Sequence, residues 1–147
     1  MKLSTRGRYG TRVLLDLAIH DGEGPVLLKD IAKRQQISLL YLEHLIAPLI
    51  AVGMIRSMRG ARGGIWLAKL PQEIKLSEVI GLLEGSIAPV DCINDPKVCS
   101  LSDACATRDV WIELKGAMDG VLESKTLQNL VDMQRKKGTA DMVMYDI

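Results

Sequence analysis

The sequence predicts a mainly α-helical domain with one small β-hairpin, and three observations lead there. The chain carries two Trp, three Tyr and no Phe. Its core must therefore come from Leu, Ile, Val, Met and Ala, which suits helices better than a β-sandwich. Apolar residues recur at three- and four-residue spacing through most of the first fifty positions, as on a helix with one buried face. Two short segments, Met54–Met58 and Ile65–Lys69, flank the turn Arg59-Gly60-Ala61-Arg62-Gly63-Gly64 and read as paired strands.

Residues 5–20 form the first expected helix, with Val13, Leu14, Leu17 and Ala18 on one stripe and Gly22, Gly24 and Pro25 ending it. A second runs from Leu28 to Gln35 with Ile31 and Ala32 inward. Gln36-Ile37 make a tight turn, and Ser38 is a good N-cap for a third helix. Leu42, Leu45, Ile46 and Leu49 are the buried stripe of that helix, and Gly53 closes it. Two short helices so joined, the second well capped, are a helix-turn-helix. An Arg-bearing hairpin directly after it makes residues 1–70 a winged helix-turn-helix. Its third helix suits a major groove and its wing arginines suit phosphates or the minor groove. The Gly-rich turn is no nucleotide loop, because it lacks the terminal Lys-Ser/Thr and lies between strands.

Pro71 closes the wing, and residues 71–91 supply a connecting helix, Leu76–Leu83 with Ser77 as its cap, and a loop. Gly85–Ser102 reads as a long ordered loop. From Asp103 a longer helix carries Val110, Trp111, Leu114, Met118, Val121 and Leu122 at three- to four-residue spacing. A further helical pattern follows at Leu127, Leu130, Val131 and Gln134. Residues 103–135 are expected to serve dimerisation, since so small a domain has little else to cover this stripe. Residues 136–147 are expected to be a flexible tail.

The net charge of +1 conceals a division. Residues 1–70 hold eleven Lys/Arg against five Asp/Glu, and residues 71–147 hold eight against thirteen. A basic first half suits a polyanion. Scarce aromatics count against single-strand binders, which stack bases on rings. No apolar run approaches the roughly 20 residues of a membrane span, and no secretory signal is visible, so a cytoplasmic protein is expected. An enzyme is not: there is no nucleophile–base motif or nucleotide loop, and the two histidines, His20 and His44, lie apart on helices.

Three cysteines cannot close a disulfide framework. Cys92, Cys99 and Cys105 fall within fourteen residues as C-x6-C-x5-C. That is unlike a zinc finger, which shows close Cys pairs. In a loop with Pro and Gly nearby, such intervals suit an iron–sulfur cluster held by thiolates. Three idle cysteines remain the plainer alternative.

The opening Met-Lys-Leu-Ser-Thr-Arg-Gly-Arg-Tyr-Gly, Asp30-Ile31-Ala32, Ile37-Ser38 with Tyr41-Leu42-Glu43, Gly53, Arg59-Gly60, Gly63-Gly64 and the three cysteines followed by Thr107 and Trp111 together resemble one family. It is that of the bacterial iron–sulfur cluster regulators, the IscR-type winged-helix proteins related to NsrR and CymR, and the likeness spans residues 1–135. The resemblance implies a homodimeric transcription regulator, usually a repressor, that reads a partly palindromic double-stranded DNA operator. It implies cluster ligation by Cys92, Cys99 and Cys105, with 2Fe–2S favoured over 4Fe–4S. It further implies major-groove contacts from Ser38, Tyr41 and Glu43 and a minor-groove contact from Arg59, with Arg62 beside it on the wing.

The chain also departs from the family pattern. Where the cluster regulators have a His three residues after the third Cys, this chain has Arg108. Where another subgroup recruits a carboxylate near position 8 of the partner subunit, it has Arg8. The fourth ligand is therefore unassigned, with Asp103, Asp109, His44 and an external thiol as candidates. Pro48 and Ile50 stand where the family often has basic residues, and Pro48 lies inside the recognition helix. Two alternatives stay open: a cluster-free regulator that answers to thiol oxidation or a protein partner, and an iron–sulfur carrier that no longer reads DNA.

Overall fold

The computed structural model describes residues 1–145, with side chains through residue 138. Helix α1 spans Thr5–Ile19 and is capped by Ser4, whose Oγ accepts the Gly7 N–H at 3.0 Å. Helix α2 spans Leu28–Gln35. It ends where Gln36 takes the left-handed conformation (φ 55°), which turns the chain so that Ile37 drops into the core. Helix α3 spans Leu39–Ala51 and continues past Pro48. Strands β1 (Ile55–Met58) and β2 (Gly64–Leu67) pair antiparallel with Ile55 opposite Leu67 and Met58 opposite Gly64.

All ten apolar residues expected inward on the first three helices are buried, among them Leu14, Ile31, Leu42 and Leu49. The three helices pack around them because each has one apolar face to remove from water, at about 25 cal/mol per Å². Val26, in the α1–α2 connection, exchanges both backbone hydrogen bonds with Ile65 at 2.9 Å. That bridge adds a third edge to the hairpin and seats the wing on the helices. The helix-turn-helix and wing are therefore one packed unit, the winged helix expected from the sequence.

A charged pin sits inside this unit. Asp16 is 3% exposed on α1. Its carboxylate accepts from Arg34 Nε at 2.9 Å, from the Arg34 terminal nitrogen at 2.7 Å and from Gln35 Nε2 at 2.8 Å. Arg12 in turn donates to Gln35 Oε1 at 3.1 Å and to the Gln35 carbonyl at 2.7 Å. Two adjacent residues of α2 are thereby held at both ends by α1. Apolar packing alone tolerates sliding, but a bidentate guanidinium–carboxylate pair fixes angle and register.

Helix α4 spans Leu76–Glu84. Ser77 does not cap it: the N-cap position is Lys75, and the Ser77 hydroxyl donates to Glu123 Oε2 at 2.6 Å. α4 crosses α1 at close range. A Cβ at Gly10 would lie 2.3 Å from Leu83 Cδ1, so any larger residue there would push the buried Leu83 side chain aside. Three short 3-10 turns, Asp91–Ile93, Pro96–Val98 and Ser102–Ala104, order the loop that follows. Helix α5 starts at Ala106, later than Asp103, and runs to Glu123.

Helix α6 spans Leu127–Tyr145, so the stretch from Lys136 expected to be tail continues the helix to Tyr145. Residues 146–147 lie outside the described ones. The start of α6 returns towards the winged unit: Leu127 N–H donates to the Ile74 carbonyl and Leu76 N–H to the Lys125 carbonyl, both at 2.9 Å. Leu127 and Val131 are buried in the same core as α1. Their helical spacing suggested a dimerisation surface, but both residues face their own domain. The domain needs them because three short helices leave the outer side of α1 bare.

The Asp16 pin has a pH signature. Burial raises the carboxyl, but hydrogen bonds from Arg34 and Gln35, with the charges of Arg34 and His20, outweigh it and hold it below its ordinary value of 3.8. A depressed folded-state value stabilises the protein above the unfolded value, and the contribution is lost as pH falls through the folded one. Chemical denaturation should show Asp16→Asn losing about 2–3 kcal/mol at pH 7, discounted because Arg34 is half exposed. The gap between wild type and variant should narrow as pH falls from 4 towards 2.

Candidate functional site

Recognition-helix geometry begins at Ser38, whose Oγ accepts the Tyr41 N–H at 3.2 Å. One lone pair thus caps α3, and the exposed hydroxyl keeps its donor and a second lone pair for an outside partner. Tyr41 is half buried and Glu43 is exposed, with His44 beside it on the solvent side. Leu42, Leu45, Ile46 and Leu49 anchor the opposite side.

The wing presents Arg59 and Arg62, both exposed, at the tip of the β1–β2 hairpin. Gly60 adopts φ 106° there. A Cβ at Gly64 would sit 2.5 Å from the Val26 carbonyl oxygen, so the hairpin reaches the helices only with glycine at its base. The same backbone contact that seats the wing therefore fixes where the two arginines emerge.

A cationic cluster beside the recognition helix was not singled out from the sequence. Arg8 and Arg12 lie against the ring of Tyr9, at 5.7 Å and 5.4 Å from its centroid, and Tyr9 meets Tyr41 edge-on at 6.0 Å. Two guanidinium charges are so held over aromatic faces, next to a residue already expected at the major groove. The i,i+4 spacing of Arg8 and Arg12, on a helix contacting the next one, was the available signal.

The cysteines lie on the excursion between α4 and α5. Cys92 falls in the first 3-10 turn, Cys99 follows the second, and Cys105 occupies the N-cap position of α5. All three are free thiols, Cys99 exposed and the others half buried. Cys105 Sγ lies 3.1 Å from the Thr107 hydroxyl. That contact, with backbone N–H groups from Arg108 and Thr107, holds its pKa below the usual thiol value of 9.0. Arg108 donates through Nε to the Cys92 carbonyl at 3.2 Å. The residue standing in the family's histidine position is thus a strap between the loop and α5, and a guanidinium is not a metal ligand.

Three thiols on one solvent-reachable loop are the right donors for iron–sulfur chemistry. Among the described residues, however, no three His, Cys, Asp or Glu side chains converge as a ready ligand set. Asp103 and Asp109 flank Cys105 along the chain and His44 lies on α3, yet none is gathered with the cysteines into such a set.

Helix α5 has no buried residue along its 18 positions, and Val110 and Val121 are 55% and 61% exposed. Its base is tied to α4 by an ion pair between Lys75 and Glu123. The stripe read from the sequence is therefore only partly covered by its own chain: Trp111, Leu114, Met118 and Leu122 are half buried, and Val110 and Val121 are exposed. No helix among the described residues is long and apolar enough to cross a membrane.

The family model described as Rrf2, iron-dependent transcriptional regulator, matches residues 3–133. The protein named Rrf2 of Nitratidesulfovibrio vulgaris is 47% identical over 131 residues, covering 89% of this chain and 87% of that one. Among solved structures, CymR, the global cysteine regulator of B. subtilis, superposes with a TM-score of 0.78 at 40% identity over 90% of this chain and 98% of its own. IscR of T. potens does so with a TM-score of 0.75 at 42% identity over 91% and 88%.

The Thr107 contact predicts an order of thiol reactivity. Rates of iodoacetamide alkylation, followed by mass spectrometry between pH 6 and 9, should place the Cys105 inflection below the usual thiol value. Thr107→Val should move it upward.

Proposed function

This chain belongs to the Rrf2 family of iron-dependent transcriptional regulators, and we propose that it acts in the cytoplasm as a homodimeric repressor whose 92–105 loop reports iron–sulfur, redox or nitric-oxide status. It is a DNA-binding regulator rather than an enzyme, as its named relatives are. The observation that carries the finer reading is the partly covered helix α5, with Val110 and Val121 exposed, springing directly from the three-cysteine loop. A second copy of α5 is the natural cover for an 18-residue helix with an apolar stripe and no core of its own.

In this reading two winged heads lie across one duplex. A two-fold dimer requires a partly palindromic operator with half-sites about one helical turn apart, or a multiple of it. Ser38, Tyr41 and Glu43 meet base edges, where a carboxylate can accept from the cytosine amino group. Arg59 and Arg62 of the wing meet the narrow, negative minor groove and its phosphates. Arg8 and Arg12 add positive charge at the flank.

Cys92, Cys99 and Cys105 would hold the cluster, which supplies an oxidant-labile link across the loop. The chain's own part is mechanical. The Arg108 strap joins the first cysteine to the first turn of α5, and Glu123 joins the last turn of α5 to α4. A change in loop conformation is therefore transmitted to the angle between the dimer helix and the head.

A second reading is favoured by the free thiols and their lack of convergence, and by the likeness to a regulator named for cysteine. In it the same strap responds to a disulfide formed between two of the thiols when an oxidant such as peroxide removes two electrons. Anaerobic isolation separates the two: iron, acid-labile sulfide and a visible absorption band are expected. A colourless, iron-free protein that gains one defined Cys–Cys link after mild peroxide treatment would replace the cluster reading with the thiol one.

The reading head makes its own prediction. In gel shifts on a selected operator, Glu43→Ala should relax base preference at one position per half-site without altering the salt slope. Arg59→Ala should weaken binding about tenfold and make the slope shallower by about one unit.

A further inference from the structure

The solvent side of α3 is not uniformly polar. Leu40 is 67% exposed, one turn ahead of Glu43 and His44, which are also exposed. At about 100° per residue, Leu40 falls directly opposite the buried stripe of Leu42, Leu45, Ile46 and Leu49. It therefore sits on the face of this helix turned away from its own domain, and it is apolar. Nothing in the fold requires that: no core residue leans on it, and the helix start is capped by Ser38.

An isobutyl group at this point suits one feature of the surface the helix is built to meet. The edges of the base pairs in the major groove carry hydrogen-bond donors and acceptors, with one apolar exception, the C5-methyl of thymine. Glu43, one turn further on, can only accept, which directs it to a cytosine amino group. The positive surplus of the first 70 residues and the wing arginines bring that groove to this face. We propose that Leu40 is a specificity-determining residue that packs on a thymine C5-methyl, so that the start of the recognition helix reads a thymine near the cytosine met by Glu43. The proposal rests on the DNA-binding reading above.

The occupant is taken to be thymine because unmodified DNA offers its methyl in no other base; 5-methylcytosine presents the same group. The test uses the full chain and synthetic duplexes carrying an operator selected from a random-sequence library. Each thymine of a half-site is replaced in turn by deoxyuridine, which removes only the methyl, and each cytosine in turn by 5-methylcytosine. One deoxyuridine position per half-site should weaken wild-type binding about three- to tenfold, the size of burying one methyl group. Leu40→Ala, at an exposed helical site that alanine favours, should bind the thymine and deoxyuridine duplexes alike, with its salt slope unchanged.

Wild-type indifference at every thymine overturns the inference, as does a deoxyuridine penalty that persists in Leu40→Ala. Sensitivity found only at 5-methylcytosine overturns the assignment to thymine. A Leu40→Ala variant with altered oligomeric state in solution but unaltered base preference makes this face a protein contact and overturns it too. Failure of the chain to select any duplex sequence overturns the regulator reading itself, which is a different result from selecting one and ignoring the methyl.

Discussion

The contact between Asp16 and the end of α2 is the constraint on which the reading head depends. A carboxylate removed from water costs several kcal/mol unless it is paired and hydrogen-bonded. Here it is met by three donors from two consecutive residues, Arg34 and Gln35. Both sit in the last turn of α2, just before the left-handed residue Gln36 that turns the chain into α3. The direction in which α3 leaves is therefore set by a charged interaction on α1, two elements earlier. Removing Arg34 would leave the Asp16 carboxylate buried and short of its charge partner, which is why such a pin specifies one geometry rather than simply adding stability.

The rest of the molecule follows from how little core remains after that. The three reading helices and wing enclose their apolar residues, and α4 with the first turns of α6 closes the outer side of α1. What is left over is α5, anchored at its two ends and nowhere more than half buried. The cysteine loop lies at the end of α5 where Arg108 grips the Cys92 carbonyl. The three-thiol loop thus adjoins the one α-helix that has no fully buried residue among those described.

Much of this was legible from residues. The inward positions of α1–α3, the Ser38 cap, the turn at Gln36 and the hairpin with its arginine tip follow from periodicity and turn chemistry, both local. The errors have a common cause. Ser77 has the identity of a cap, yet its hydroxyl is taken by Glu123, 46 residues away. Leu127 and Val131 have the spacing of a dimer helix, yet they fill the gap beside α1. The Asp16 pin joins residues 18 and 19 positions apart, and no motif announces it. In each case the partner is distant in sequence, so no local window contains the signal.

By itself, the sequence determined the kind of machine: a basic winged head, a cluster of three thiols and an acidic helical half, each encoded in residue types and short-range spacing. The uneven charge and the odd cysteine are properties of composition that no folding can change. Only the tertiary structure decided which apolar stripe is spent on the domain's own core and which is only half covered, because α5 and α6 are both helical and both apolar on one face. It also decided that Arg108 is a strap and that Leu40 faces outward, since exposure and partnership are set by what packs alongside a residue and not by the residue alone.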